Sequence, residues 1–423
     1  MMNRIPPVAS PTRRRLAIVG GGPVGIECAL YGAWLGHEVG VYEAGEVGCH
    51  LRQWGHVRMF SPWPLNVSRL GLAALGSGAR AGAAFPAGEC PTGHKFLERY
   101  LRPLVESAPL KGRVHERTRV LAIGRDRLLK AERVGSPDRA EQPFRLLVSE
   151  AAGSERVVHA DLVIDASGVF SQHNWMGSGG VPAAGERALE GSIDYGLPDV
   201  AGQRAQEFAG RRTLVVGAGL SAATMAIDLA GLARREPGTR VVWALREKGR
   251  DPYEPVPDDP LPLRSKLMKG ASRLLQGADA AVQCLRGWCV EEIRSVPGGG
   301  FEVDLSREGS LRHERVDRVI ANVGYRPDRS LYEELQVHEC FATQGPMRLA
   351  AELLGETSTD CLAQRSHGAE SLRNPEPDFF ILGAKSYGRN PRFLISVGRA
   401  QIRDLFRAVE RDHGLDLYAA EAA

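Results

Sequence analysis

Residues 16–25 read Leu-Ala-Ile-Val-Gly-Gly-Gly-Pro-Val-Gly, an apolar run followed by closely spaced glycines. The apolar run has the length and composition of a buried strand, and the sequence after the glycines is typical of a helix. In this pattern Gly20 permits a tight turn, Gly22 lets the backbone approach a pyrophosphate, and Gly25 lets the helix pack close to the strand. The N-terminus of the helix then faces the phosphates. The stretch therefore predicts a dinucleotide-binding turn.

An acidic residue closes this first unit. A helix is expected over 26–35, and residues 38–43 read as a second strand that ends at Glu43. From that position a carboxylate accepts hydrogen bonds from ribose hydroxyls. A purely structural glycine turn is the alternative. The strand before the glycines, the helix after them and the acid at this distance favour a dinucleotide site.

A second segment repeats the arrangement with a base in place of the acid. Residues 213–222 read Thr-Leu-Val-Val-Gly-Ala-Gly-Leu-Ser-Ala, and the strand expected at 239–246 ends at Arg246. A cation at that position favours a 2′-phosphate, so this unit is predicted to bind NADPH in preference to NADH. The alternative is that Arg246 is an ordinary solvated arginine. Arg234 or Arg235 could also take its place.

Composition excludes several classes of protein. The 423 residues carry 54 basic and 51 acidic side chains, so no nucleic-acid partner is indicated. No apolar stretch approaches the roughly 20 residues that a membrane span needs, and the start of the chain lacks the apolar segment of a signal peptide. The seven cysteines are irregularly spaced, which argues against a disulfide framework and favours the cytoplasm. His50, His56 and His173 are dispersed, so no metal site is expected.

The two units together resemble the two-dinucleotide-binding flavoproteins, namely thioredoxin-reductase-like enzymes and class B flavin monooxygenases, over almost the whole chain. The resemblance implies that the first unit binds FAD and the second a nicotinamide dinucleotide. It also matches Asn322-Val-Gly324 and Phe380-Ile-Leu-Gly383 to later segments of such proteins. The cofactor-binding residues that it implies are Gly20, Gly22, Pro23, Val24, Gly25, Glu43, Ala44, Arg52, Trp54, Ser61, Val120, Ala166, Ser167, Gly168, Gly217, Gly219, Leu220, Ser221, Ala222, Arg246, Gly324 and Gly383.

The expected fold is α/β, because strands alternate with helices as in parallel sheets. It comprises two Rossmann-like dinucleotide-binding domains of three-layer ββα form, with the NAD(P) domain inserted in the FAD domain. The predicted segments are a flexible leader (1–14), the first part of the FAD domain (15–205), the NAD(P) domain (206–327), and the completion of the FAD domain with a C-terminal helix (328–423).

The two branches of this family differ in chemistry. Disulfide reductases need two thiols beside the flavin, but Cys49 has no second cysteine nearby, and Cys284 and Cys289 lie in the NAD(P) domain. Residues 48–54, Gly-Cys-His-Leu-Arg-Gln-Trp, are similar to a Gly-Gly-x-Trp segment of the monooxygenases, which would set the aromatic-rich stretch 54–63 over the flavin. Residues 193–199 lack the histidine of the monooxygenase fingerprint, a departure from that branch.

Candidate catalytic residues lie late in the chain, around the last strand expected in the FAD domain. The family usually has an aspartate that binds the ribityl chain after Gly383, and Ala384 stands there instead. Cys361 could act on substrate as a thiol and His367 as a proton donor, and Lys385 and Tyr387 are further candidates. The alternative is that they are an ordinary buried thiol and loop residues.

These observations lead to three functional hypotheses. The first is an FAD-dependent, NADPH-consuming monooxygenase that oxygenates a small organic substrate with dioxygen through a C4a-(hydro)peroxyflavin. The second is an NAD(P)H-dependent flavin reductase without an active-site dithiol, which passes electrons to a small acceptor or a partner protein through Cys361 or Cys49 acting alone. The third is a non-catalytic sensor of flavin and nicotinamide. Neither the substrate nor the oligomeric state can be inferred from the residues.

Overall fold

The structure is a computed structural model that describes residues 12–76, 84–151, 153–249, 251–254, 259–355 and 366–419. The chain forms two compact units. Unit 1 comprises Met1–Gln172 and Arg326–Ala423, and unit 2 comprises His173–Tyr325. Cys361 and most of the predicted leader lie outside the described residues.

Strand, helix and strand follow one another around each glycine turn, as the sequence predicts. The strands are β1 Arg15–Val19, β2 Glu38–Tyr42, β3 Val114–His115, β4 Thr118–Arg125, β5 Phe144–Glu150, β6 Glu155–Ala160, β7 Leu162–Asp165, β8 Arg212–Val216, β9 Arg240–Leu245, β10 Val282–Arg286, β11 Cys289–Ser295, β12 Phe301–Arg307, β13 Ser310–Val316, β14 Arg318–Ala321 and β15 Phe379–Ile381. The helices are α1 Pro23–Trp34, α2 Cys49–Gln53, α3 Trp63–Asn66, α4 Arg69–Ala74, α5 Gly93–Phe96, α6 Arg102–Glu106, α7 Ala205–Phe208, α8 Leu220–Ala233, α9 Pro262–Leu275, α10 Met347–Gly355 and α11 Ile395–Glu410.

Unit 1 is built on a parallel sheet in the order β15-β7-β1-β2-β3. Side chains alternate between the two faces of a strand, and β1 shows what each face contacts. Leu16 and Ile18 belong to a core shared with α1 and α11. Ala17 and Val19 belong to a second core shared with the antiparallel sheet β4-β5-β6. Unit 1 therefore has three layers, with helices on one face of the parallel sheet and antiparallel strands on the other.

Unit 2 repeats this architecture. Its parallel sheet has the order β10-β9-β8-β14, and its antiparallel sheet the order β11-β12-β13. In β9, Val241 and Trp243 pack with α8 and α9, whereas Val242 and Ala244 pack with the antiparallel strands. The predicted α/β class and the two Rossmann-like ββα domains are confirmed.

The start of unit 2 differs from the predicted domain boundary. The sequence places it at residue 206, whereas the compact unit begins at His173. The buried carboxylate of Glu186 organises the segment before 206, because it accepts hydrogen bonds from the backbone N–H groups of Met176 and Ala183 and from the Tyr195 hydroxyl. The same segment forms β-bridges to β11 and β14. It has no apolar periodicity of its own, so the sequence gives no sign of this attachment.

Candidate functional site

The first glycine turn joins β1 to α1 through close backbone contacts. Gly20 has a φ of +103°, and a Cβ added to it would lie 2.7 Å from the carbonyl oxygen of Ala166. A Cβ on Gly25 would lie 2.0 Å from the carbonyl oxygen of Gly20, so neither position accommodates a side chain. A Cβ on Gly22 would meet nothing within 4 Å. Gly20 and Gly25 thus shape the turn, while Gly22 leaves open space above it.

That open space lies at the N-terminus of α1. Gly22 is the N-cap residue, Pro23 is the first helical residue, and no side chain caps the helix. The first backbone N–H groups of a helix have no intrahelical acceptor, and the helix dipole favours an anion there. Val24 is buried in the helix-side core. A helix start with free amides and no side chain in front of it fits a pyrophosphate group.

Glu43 follows β2 and lies beside this turn. It is buried, and its two carboxylate oxygens accept hydrogen bonds from the backbone N–H groups of Gly21 at 2.6 Å and Gly45 at 2.8 Å. The next residue, Ala44, is exposed. The glycine turn itself therefore helps to fix the orientation of the carboxylate, and its role in ribose recognition stays a prediction.

Cys49 lies beside Glu43 and bears on the reductase hypothesis. Its thiol donates to a Glu43 carboxylate oxygen at 3.7 Å. Burial, followed by the negative charge of Glu43, raises the pKa of Cys49 to about 11. The thiol is therefore protonated at neutral pH, a poor state for a nucleophile or a redox-active group. The described cysteines, including Cys284 and Cys289, are all free thiols.

A buried ion pair lies at the carboxyl ends of β7 and β15. Lys385 Nζ donates to Asp165 Oδ2 at 2.5 Å and to Ser167 Oγ at 3.0 Å, and both charged side chains are fully buried. Ser167 also donates to Asp165 Oδ1, through its hydroxyl at 2.7 Å and its backbone N–H at 3.1 Å. Ala166 lies between Asp165 and Ser167, and its carbonyl approaches Gly20. The ion pair therefore supports the base of the first glycine turn.

Three of the four predicted catalytic residues lie in the described part of the chain, and Cys361 lies outside it. The hydroxyphenyl ring of Tyr387 is buried in the helix-side core and meets the Phe393 ring edge-on at 5.4 Å. His367 Nδ1 lies 3.8 Å from the Glu352 carboxylate. Lys385 and Tyr387 are enclosed by protein, which favours a positioning role over the predicted contact with substrate. A catalytic role for His367 or Cys361 stays a prediction.

The other residues predicted near FAD have varied surroundings. Arg52 forms an ion pair with Glu46 at 2.7 Å. Ser61 Oγ donates to Asn66 Oδ1 at 2.8 Å. Val120 packs in the core between the two sheets, which leaves only its backbone groups for a ligand. Trp54 is half-buried, whereas Trp63, at the end of the aromatic stretch, is fully buried in the core. Gly168 and Gly383 both have positive φ, and Gly383 donates its backbone N–H to Gln401 at 3.0 Å.

The second glycine turn joins β8 to α8 in the same way. Gly217 has a φ of +133°, and a Cβ on it would lie 2.2 Å from the carbonyl oxygen of Asn322. A Cβ on Gly219 would meet nothing within 4 Å. Gly219 is the N-cap of α8, and no side chain caps that helix. Leu220 and Ser221 begin the helix, and Ala222 is buried against the sheet. This turn also fits a pyrophosphate.

Two aromatic residues that sequence reasoning did not identify hold this turn. Trp243 Nε1 donates to the carbonyl oxygen of Gly217 at 3.0 Å, and the Tyr253 hydroxyl donates to that of Gly219 at 3.3 Å. Their amphipathic side chains are buried with the polar group directed at the turn. Trp243 lies on β9, where it is the one aromatic residue of the strand. Tyr253 lies at the start of the proline-rich segment 252–262, where no local pattern marks it as a contact of the turn.

Arg246 directly follows β9 and is exposed. Gly324 lies beyond β14 with a φ of +84°, and a Cβ on it would lie 3.4 Å from Asn174 Nδ2.

Within the described ranges, no helix is both long and apolar enough to cross a bilayer. The same residues contain no group of His, Cys, Asp or Glu side chains arranged to hold a metal ion.

Comparison with known proteins gives structural neighbours only. No protein-family model matches the sequence, and no curated protein matches it. A bacillithiol disulfide reductase from Bacillus cereus is 18% identical with a TM-score of 0.67, over 95% of this chain and 99% of that one. The FAD-bound cadaverine monooxygenase of desferrioxamine biosynthesis from Erwinia amylovora is 14% identical with a TM-score of 0.63, over 97% of this chain and 96% of that one.

An ornithine N-hydroxylase from Kutzneria sp. 744, with reduced FAD, NADP⁺ and L-ornithine, is 14% identical with a TM-score of 0.60, over 95% of this chain and 99% of that one. The neighbours thus include both a disulfide reductase and monooxygenases. The chain has the fold of the two-dinucleotide-binding-domain flavoproteins along almost its whole length, as the sequence resemblance implies.

Proposed function

We propose that this protein is an FAD-dependent, NADPH-consuming oxidoreductase, specifically a flavin monooxygenase that acts on a small organic substrate with dioxygen. The observation that carries the proposal is the pair of glycine turns. Each has an open central glycine at an uncapped helix start. Glu43 closes the first and Arg246 the second. Unit 1 would hold FAD and unit 2 NADPH.

The residues of unit 1 fit the adenosine and pyrophosphate parts of FAD. Gly22 and the backbone N–H groups that follow Pro23, which has none itself, offer hydrogen-bond donors to phosphate oxygens. The Glu43 carboxylate is an acceptor for ribose hydroxyls. In unit 2, Arg246 supplies a cation for a 2′-phosphate. A flavin bound in unit 1 would supply the chemistry of hydride transfer from the nicotinamide and of electron transfer to an acceptor. The protein's part is to bind and orient both groups.

The cysteines favour the monooxygenase over the reductase. A disulfide reductase needs a reactive thiol with a partner, and burial raises the pKa of both Cys49 and Cys284 to about 11. Neither is disulfide-bonded in the described residues. A reductase acting on a small acceptor or a partner protein is the second candidate, favoured by the similarity to the bacillithiol disulfide reductase. A sensor without turnover is the third. The irregular cysteine spacing supports the cytoplasm as the location.

One experiment distinguishes the three functions. The purified protein is loaded with FAD and mixed with NADPH, and flavin absorbance, oxygen consumption and hydrogen peroxide are followed with and without a panel of amines, sulfur compounds and ketones. A monooxygenase bleaches and reoxidises with oxygen, and its peroxide yield falls when a substrate is oxygenated. Turnover that requires an added disulfide or dye, without an oxygenated product, would establish a reductase. A flavin that NADPH never bleaches would leave only the sensor.

A further inference from the structure

Asn322 is a buried amide at the carboxyl edge of the parallel sheet of unit 2. It directly follows β14 and is 8% exposed. Its Nδ2 donates to the carbonyl oxygen of Gly196 at 2.6 Å. This bond fixes the orientation of the amide, because the reverse orientation would set two oxygen atoms against each other. Asn322 Oδ1 is shielded from solvent and has no hydrogen-bond partner in the described part of the chain. A buried acceptor without a donor carries an unfavourable desolvation free energy, and a ligand that donates a hydrogen bond to it would offset that free energy.

The unmet acceptor lies on the face of the sheet where the second glycine turn enters its helix. Ile320 in β14 packs with α8 and α9, whereas its neighbours Val319 and Ala321 pack on the opposite face. Alternation along the strand places the side chain of Asn322 on the same face as Ile320. The backbone of Asn322 also lies close to the turn. A Cβ added to Gly217 would lie 2.2 Å from the carbonyl oxygen of Asn322.

Strand order shows which part of a dinucleotide would reach this position. The sheet runs β10-β9-β8-β14, so the glycine turn after β8 lies between Arg246, which follows β9, and Asn322, which follows β14. A dinucleotide with its 2′-phosphate at Arg246 and its pyrophosphate on the turn extends its other half toward β14. That other half carries the nicotinamide and its ribose. An amide oxygen repels phosphate oxygens, so only a hydroxyl or an N–H group suits Asn322 Oδ1.

We propose that Asn322 Oδ1 accepts a hydrogen bond from the nicotinamide half of NADP(H), from a ribose hydroxyl or from the carboxamide N–H. Asn322 is then a binding residue that recognises this half, while Arg246 recognises the adenosine half. The proposal rests on the proposed function, since it requires that unit 2 bind NADP(H). Asn322 would then be an NADP(H)-binding residue outside the glycine motif 217–222.

The test separates the two halves of the ligand. Isothermal titration calorimetry on the full-length, FAD-loaded protein measures the binding of NADP⁺ and of adenosine 2′,5′-bisphosphate, which lacks the nicotinamide half. Asn322→Ala is expected to weaken NADP⁺ binding about tenfold, the value of one hydrogen bond, and to leave the bisphosphate within about twofold of the wild-type affinity. Arg246→Ala should weaken both ligands. The acetylpyridine analogue of NADP⁺, which lacks the carboxamide N–H, shows which donor is used.

A matched control variant distinguishes a specific loss of NADP⁺ binding from a general loss of structure. Thr239 is also buried in unit 2 and hydrogen-bonds two backbone groups, but it lies at the amino edge of the sheet, just before β9. Thr239→Ala should therefore reduce the unfolding free energy without changing NADP⁺ affinity. Asn322→Ser removes Oδ1 while keeping a small polar side chain, and serves if Asn322→Ala does not fold.

The outcomes are distinguishable. Equal NADP⁺ affinity of the wild type and both Asn322 variants would overturn the role of Asn322 while leaving the nicotinamide site intact. Equal weakening of NADP⁺ and the bisphosphate would also overturn it, because the effect would then not belong to the nicotinamide half. A wild-type protein that binds neither ligand would overturn the proposed function, and the role of Asn322 with it.

Discussion

Asp228, on α8, is a single carboxyl group that makes the unfolding free energy depend on pH. Burial, and then the negative charge of Asp199, raises its pKa to about 6. When the pKa of a carboxyl is higher in the folded state than in the unfolded state, the unfolding free energy of the protein falls as pH rises between the two pKa values. For Asp228 this range is about pH 4 to pH 6. We expect Asp228→Asn to raise the unfolding free energy at about pH 7.5 by about 1–2 kcal/mol, after allowance for partial solvent screening. Urea unfolding at about pH 4 and pH 7.5 measures this, and an equal gain at both pH values would contradict the assignment.

Glu43 is the second residue whose chemistry can be tested directly. Its carboxylate is held by two backbone N–H groups beside the first glycine turn. Glu43→Gln keeps one acceptor oxygen but removes the charge, and Glu43→Ala removes both acceptors. We expect the fraction of FAD retained after dialysis to fall in the order wild type, Glu43→Gln, Glu43→Ala, with an affinity loss for the alanine variant of about tenfold or more. The ratio of flavin to protein absorbance is the measurement. Undiminished FAD in the alanine variant would place the ribose elsewhere.

At the scale of elements, the ion pair between Lys385 and Asp165 joins the end of β7 to the turn that follows β15. Lys385→Met leaves a buried carboxylate without its cation and should reduce the unfolding free energy by about 3–5 kcal/mol. The double variant Asp165→Asn with Lys385→Met removes both charges and keeps an acceptor for Ser167. It should therefore be more stable than Lys385→Met alone.

Urea unfolding of the wild type, the Lys385 variant and the double variant tests this. A double variant no more stable than Lys385→Met alone would show that Lys385 contributes through packing and not through its charge. Because Ala166 supports Gly20, we also expect Lys385→Met to retain less FAD. Arg373→Met, which breaks an exposed ion pair with Glu370, is the matched control and should change stability by less than about 1 kcal/mol.

The elements differ in how far sequence could predict them. The glycine turns with Glu43 and Arg246 follow from short local patterns, in which turn, helix start and closing residue lie within about 30 positions. The ion pair between Lys385 and Asp165 spans 220 positions of sequence, so no local pattern contains it. The same holds for Asn322, whose unmet oxygen depends on its placement next to Gly196. Burial of Lys385 also could not be inferred, because lysine is almost never fully buried unless it is paired.

At the scale of the whole molecule, unit 2 is one continuous stretch with its own cores on both faces of its sheet. We therefore expect residues 173–325 to fold when expressed alone, and to bind adenosine 2′,5′-bisphosphate if the proposed nicotinamide site is right. A fragment that starts at the predicted boundary, 206–325, lacks Met176, Ala183 and Ile193, which pack in the core beneath the antiparallel sheet. It also lacks the β-bridges from that segment to β11 and β14.

The shorter fragment should therefore be less stable by several kcal/mol, because it exposes apolar side chains of β11 and β14 that the segment before 206 covers. Thermal unfolding followed by circular dichroism compares the two fragments, and calorimetry measures the bisphosphate. Glu186→Gln in the longer fragment is an intermediate case, since it keeps the segment but weakens the buried acceptor that organises it. If 206–325 unfolds as cooperatively and at the same temperature as 173–325, residues 173–205 are an appendage and the boundary expected from the sequence is the right one. If neither fragment unfolds cooperatively, unit 2 depends on the rest of the chain for its stability.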